Sequence, residues 1–345
     1  MRCWGGDLMQ QTGVTIIKHY RDLAFMGFAE VLMNLRTIIK NIDFCKQDIL
    51  QFKPDVLILI DYPGFNLRIA KFAHEHKLKV FYYISPSVWA WKESRVKLIR
   101  EVVDRMFVIL PFEKPFYAKH NYAVDYAGNP LLDAIEQQKK EFKSKEEFAK
   151  ENNLNEKPII AVLPGSRKQE ISVMLPIMIN VSKKFTDYQF VIAGAPGLEA
   201  NYYNQFLGGT SFKLLFGKTY EILHHAHAGI IKSGTSTLEA ALFDVPEVVC
   251  YKGNPISIWI AKKVAKVNYF SLVNLIMDRP VVKELLQEEM NEETLAIELR
   301  KLTDDTPERA TLLKEYVTLK NELGNSGASK RTAELMYGYL TEHKS

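Results

Sequence analysis

The chain has 345 residues, too many for one ordinary hydrophobic core, so two domains are expected. Its 47% hydrophobic and 25% charged residues are those of a soluble globular protein, and a net charge of +4 is too small to argue for a nucleic-acid partner. Cys3, Cys45 and Cys250 are scattered, which fits a reduced, cytoplasmic compartment; no apolar run approaches the roughly 18 residues of a membrane span, and no signal peptide opens the chain.

Met1–Asp7 reads as the end of a strand running into a glycine turn. A helical stretch begins near Leu23, with Phe28, Val31, Leu32 and Leu35 on one apolar face and Arg36 and Lys40 beside it. Pro54–Ile60 is a continuous apolar run, as expected of a parallel strand covered on both faces, and it ends in Asp61-Tyr-Pro-Gly-Phe-Asn66. Further strands are expected at Lys79–Ile84, Arg105–Leu110 and Val124–Gly128, each followed by a helix or turn. The first of these runs into Ser85-Pro-Ser-Val-Trp-Ala-Trp91 and a basic helix.

Residues 136–156 are dense in Lys and Glu and read as a solvated helix and linker. We therefore expect a first domain over 1–153, a second over 154–325, and a C-terminal helix over 326–345 that packs back on the first. In the second half, strands are expected at Pro158–Leu163, Gln189–Ala193, Lys213–Phe216, Ala228–Ile231 and Glu247–Tyr251, alternating with helices. An amphipathic, Lys-rich helix is expected over Ile256–Lys266, and a mostly helical remainder. The fold class is α/β, with two parallel sheets facing across a cleft and ligands at the carboxyl ends of the strands.

Two of those ends suit phosphate. Ser233-Gly234-Thr235 joins a strand directly to a helix, so free N–H groups and the positive helix end point at one place. Gly165-Ser166-Arg167 puts a pliable backbone, a hydroxyl and a guanidinium at another strand end. Either segment alone also reads as an ordinary capped turn; together they suggest a nucleoside-diphosphate site. Glu239, on the face of Thr235, is placed to take ribose hydroxyls. Asp61, at a strand end, is a candidate general base whose competing role is to cap the helix after Pro63. No Asp-x-Asp offers a magnesium clamp, so neither metal nor cofactor is expected. Gly217-Lys-Thr219 lacks the glycine a Walker A loop needs at 212, and His224, His225 and His227 read as surface or packing side chains.

Taken together, these segments resemble the lipid-A-disaccharide synthase family, inverting glycosyltransferases of the GT-B type. The resemblance rests on Met26-Gly-Phe-Ala-Glu-Val-Leu32, Asp61–Asn66, Ser85–Trp91, Leu110-Pro-Phe-Glu-Lys-Pro-Phe-Tyr117, Leu163–Arg167, Ser233–Glu239, Tyr269-Phe-Ser-Leu-Val-Asn274 and Val282–Glu289. They run in the family's order over nearly the whole chain, and the Ser-Pro-Ser-Val-Trp-Ala-Trp string is the most specific. The resemblance implies transfer from UDP-2,3-diacylglucosamine to 2,3-diacylglucosamine 1-phosphate at the cytoplasmic face of the inner membrane, giving lipid A disaccharide 1-phosphate and UDP. It implies that Asp61 is the base and that Arg167 and the Ser233–Thr235 turn neutralise the diphosphate. Glu239 would hold the ribose, and Asn274, Glu288 and Glu289 would line the donor side. Phe28, Glu30, Val31, Leu32, Leu35, Ser85 and Trp89 would face the acceptor and its acyl chains. Family members open with a strand, a loop close to Gly-Glu-x-Ser-Gly-Asp and a helix; these do not precede Met1, which leaves an inactive nucleotide- or lipid-binding remnant as one alternative. A UDP-sugar epimerase or hydrolase acting on a soluble substrate is the other. Oligomeric state is left open.

Overall fold

The computed structural model describes residues 1–22, 35–253 and 268–341. The chain divides into two compact units: Met1–Pro86 with Leu98–Arg105, and Ser87–Lys97 with Met106–Ser345.

In the first unit, strands β1 (Arg2–Gly5) and β2 (Thr15–His19) form a parallel pair, and β3 (Val56–Ile60) and β4 (Lys79–Tyr83) form another. The Trp4 ring joins β1 to the helices, lying 5.7 Å from both Phe44 of the helix Leu35–Phe52 and Phe65 of the helix Pro63–Glu75. Strand β4 is the buried one, with Val80, Phe81 and Tyr82 closed off from solvent. The sequence predicts cover on both faces of β3, and the structure differs. Side chains alternate across a strand, so Ile58 and Ile60 share one face, and there they remain 39% and 41% exposed while Leu59 is buried.

The second unit contains a larger sheet and, apart from Arg105, the parallel pair β5 (Arg105–Val108) and β6 (Asp125–Tyr126). That sheet has the order β12-β11-β10-β7-β8-β9, from β7 (Ile159–Leu163), β8 (Gln189–Gly194), β9 (Lys213–Phe216), β10 (Ala226–Lys232), β11 (Glu247–Tyr251) and β12 (Lys283–Leu286). Every neighbouring pair is parallel, so all the carboxyl ends lie along one edge. Helices on the sheet complete a core that includes Ile160, Val162, Met174, Ile192, Ile230, Leu238, Val249 and Leu299. The continuous apolar runs of β7, β8, β10 and β11 are those of strands covered on both faces. Strands β2 and β12 were not expected from the sequence, and the predicted helix at 256–266 lies outside the described residues.

The C-terminal helix Ala328–Thr341 packs on the helix Pro130–Lys139 of the same unit. Its start is held by a distant residue: the Asp133 carboxylate accepts the N–H of Gly327, of Ala328 at 3.2 Å and of Ser329 at 2.8 Å. Burial alone would raise this carboxyl, but the amide donors outweigh it and hold it below the ordinary range.

Candidate active site

The carboxyl edge of the larger sheet brings the two predicted phosphate turns together. Strands β7 and β10 are direct neighbours, with Leu163 opposite Ile231, so the turns that follow them are side by side. After β7, Gly165 takes φ +107°, and Arg167 becomes the N-cap of the helix Lys168–Ser182. After β10, Gly234 is the N-cap of the helix Thr235–Leu242. Neither N-cap has a side chain bonded to the helix start, so both helices present unmatched N–H groups and their positive ends at the same edge.

A charged cluster that the sequence reading missed lies between these turns. Glu170 is only 6% exposed, and its Oε1 is 3.1 Å from Lys232 Nζ and 3.4 Å from Arg167 Nη1. Its Oε2 is buried and has no hydrogen-bond partner. The Lys232 ammonium also lies 5.4 Å from the Tyr251 ring centroid, whereas the Arg167 side chain is 66% exposed. The available signals were a Glu three residues after Arg167 and a Lys directly before Ser233-Gly-Thr235. Neither says that residues 170 and 232 meet, because that contact depends on the pairing of β7 with β10.

Ser233 is partly committed to structure: its Oγ donates to the Phe270 carbonyl at 2.8 Å, and its N–H donates to the Cys250 carbonyl. Thr235 and Ser166 are exposed at the two turns. Glu239, further along the same helix, accepts a 3.1 Å hydrogen bond from the Tyr220 hydroxyl, and burial pushes its carboxyl up. Glu288 and Glu289 are exposed just past β12, on the same edge, with Glu289 3.9 Å from Lys283.

Asn274 is 1% exposed and its amide is bonded inside the protein. Its Nδ2 donates to the Val282 carbonyl and to Glu284, and its Oδ1 accepts from the N–H groups of Val281 and Val282. Glu284 in turn accepts from the N–H groups of Phe270 and Ser271. Asn274 thus fixes the loop that backs Ser233 and has no hydrogen-bonding position left for a donor.

In the first unit, Asp61 lies at the carboxyl end of β3 with its side chain exposed and its backbone tightly held. Its N–H donates to the Tyr83 carbonyl at 2.9 Å; its own carbonyl accepts from Asn66 Nδ2 at 2.7 Å and the Tyr82 hydroxyl at 2.5 Å. Asp61 and Tyr62 both take φ +46°, a left-handed conformation rare for such residues and often found at functional sites. The N-cap of the helix that follows is Tyr62 rather than Asp61, and it makes no side-chain cap bond. Ser85 is buried, its Oγ donating to the Pro86 carbonyl, and Trp89 packs edge-on against Phe112. Phe28, Glu30, Val31 and Leu32, and the side chain of Leu35, lie outside the described residues.

The histidines pack against aromatic rings: His224 on Phe142, His225 on Phe148 and His227 on Tyr188. Among the described residues no three His, Cys, Asp or Glu side chains group as metal ligands would, and no helix is long and apolar enough to cross a membrane.

Parallel α/β sheets in both units, with helix starts converging at a carboxyl edge, define a GT-B-type protein. Solved structures agree on that fold. The chain is similar to the S. aureus MnaA–UDP co-structure (TM-score 0.67, 15% identity, 97% of this chain and 86% of that one). It is similar also to the UDP-GlcNAc 2-epimerase of Neisseria meningitidis bound to UDP-GlcNAc (0.67, 14%, 96% and 88%) and to the calicheamicin glycosyltransferase CalG4 (0.61, 14%, 99% and 89%). Sequence is more particular: a family model described as lipid-A-disaccharide synthetase matches residues 2–336. Lipid-A-disaccharide synthases of Coxiella burnetii (strain Dugway 5J108-111) and Syntrophus aciditrophicus (strain SB) are 34% and 35% identical, over 97% and 95% of this chain and 89% and 87% of theirs. The chain belongs to the lipid-A-disaccharide synthase family, glycosyltransferases of lipid A biosynthesis.

Proposed function

We propose that the chain transfers the sugar of UDP-2,3-diacylglucosamine to 2,3-diacylglucosamine 1-phosphate with inversion. The observation that carries the donor half is the pair of uncapped helix starts beside Arg167 at the ends of β7 and β10. Backbone dipoles and a guanidinium there suit a diphosphate, and they stabilise it most as it departs with negative charge. Glu239 takes the ribose hydroxyls. UDP and UDP-GlcNAc in two structures of the same fold support a uridine nucleotide.

The reaction is a single displacement. Asp61 removes the proton of the acceptor hydroxyl, whose oxygen attacks the anomeric carbon from the face opposite the diphosphate. The bond from that carbon to the phosphate oxygen breaks, and UDP leaves with the electron pair. An exposed carboxylate on a clamped, left-handed backbone supports this role. No metal is needed, because the cationic turn supplies the charge. The acyl chains keep their membrane contact, so the enzyme works as a peripheral protein on the cytoplasmic face of the inner membrane.

The test supplies both diacylated sugars to the Asp61→Asn variant. Disaccharide formation is expected to fall by roughly 10²–10⁴ with UDP binding retained. Unchanged turnover would remove Asp61 as the base, and release of UDP by the parent chain without acceptor would favour a hydrolase or epimerase.

A further inference from the structure

We propose that Lys232 is a second cationic ligand of the donor's diphosphate, and that Glu170 is the positioning residue that holds it there. The inference rests on the donor reading above and extends it to residues which that reading does not use.

Of the two phosphate turns, only the one after β7 carries a cation in its own sequence, Arg167, and Arg167 is paired with Glu170. Those two alone sum to zero, a poor setting for an anion. Lys232 restores a net positive charge to the cluster, and it does so from the strand that leads into the second turn.

Geometry places that charge well. Lys232 is the last residue of β10, and its ammonium lies 4.0 Å from where a Cβ on Gly234 would be, so it stands against the Ser233–Thr235 turn. The side chain is 20% exposed, enough to meet a ligand and too little to wander. It is fixed by the Glu170 carboxylate at 3.1 Å and by the Tyr251 ring. An ammonium carries three donors, and a carboxylate and a ring face leave at least one for a phosphate oxygen.

Glu170 is a costly group to bury, with Oε2 unpartnered beneath the Gly165 turn. A carboxylate at an anion site weakens anion binding through space. Its presence is accounted for if it orders both cations in advance, so that little side-chain freedom is lost when the diphosphate arrives.

The test titrates UDP and uridine separately into the parent chain and the Lys232→Met, Lys232→Arg and Glu170→Gln variants. Lys232→Met is expected to weaken UDP roughly tenfold or more while uridine changes less than about twofold. Lys232→Arg keeps the charge and should retain most of the UDP affinity, which separates loss of charge from loss of fold. Glu170→Gln makes the site more positive yet should weaken UDP, because the cations lose their anchor. Unchanged UDP affinity in Lys232→Met, or equal losses for UDP and uridine, would overturn the ligand role; tighter UDP binding by Glu170→Gln would overturn the positioning role. Failure of the parent chain to bind UDP would instead overturn the donor reading, and this inference with it.

Discussion

Glu170 and Glu247 are two buried carboxylates on the same sheet, and they show how its two edges differ. In each, Oε2 is buried without a partner. At the carboxyl edge, Glu170 Oε1 meets Lys232 and Arg167. At the amino edge Glu247 opens β11, is wholly buried, and has for its Oε1 only the Tyr316 hydroxyl, at 3.5 Å. Burial pushes the Glu247 carboxyl well up, with Tyr316 easing it slightly; Cys250 on the same strand feels the Glu247 charge, and Asp244 acts on Tyr316. The buried carboxylate at the carboxyl edge is thus met by two cations, and the one at the amino edge by a hydroxyl.

The largest effect should come from breaking the charged edge at its tightest point. Gly165 has φ +107°, and a Cβ there would lie 2.8 Å from Glu170 Oε2, on a carboxylate already fixed by two cations. Gly165→Ala should therefore displace the turn and Glu170 together and weaken UDP by roughly a hundredfold. Affinity within about threefold of the parent would mean that the turn does not carry the diphosphate.

A smaller effect sharpens the other edge. The folded-state pKa of Glu247 is raised above its unfolded value of about 4.3, so the folded chain keeps a proton that the unfolded chain gives up. Stability therefore falls as pH rises from about 4.3 towards the raised folded value. Glu247→Gln removes that slope. Its melting temperature should match the parent near pH about 4.5 and exceed it by roughly 2–4 °C at pH about 8, with UDP affinity unaltered. A gap independent of pH would show that Glu247 keeps no proton on folding.

How much of this could be read in advance follows from how local each signal is. Strands β7 to β11 were legible to within about two residues because their apolar runs are continuous. Strands β2 and β12 were not: Thr15-Ile-Ile-Lys-His19 and Lys283-Glu-Leu-Leu286 mix charge with apolar residues, as edge strands do. The phosphate turns were legible as strand–turn–helix junctions, and so was the left-handed Asp61 corner as a strand end. The Glu170–Lys232 pair joins residues far apart in the chain, and only sheet order brings them together. The bonding of Asn274 was hidden for the same reason, since its amide meets Val281, Val282 and Glu284 only once the loop after residue 277 folds back.

The division of labour between the strand ends is tested most directly by titrating UDP into Arg167→Ala and Asp61→Asn side by side. Arg167→Ala should bind UDP roughly tenfold more weakly or worse, and Asp61→Asn should bind it as the parent does. Equal affinity in the Arg167→Ala variant, or a matching loss in Asp61→Asn, would contradict the assignment of the leaving group to the β7 and β10 turns.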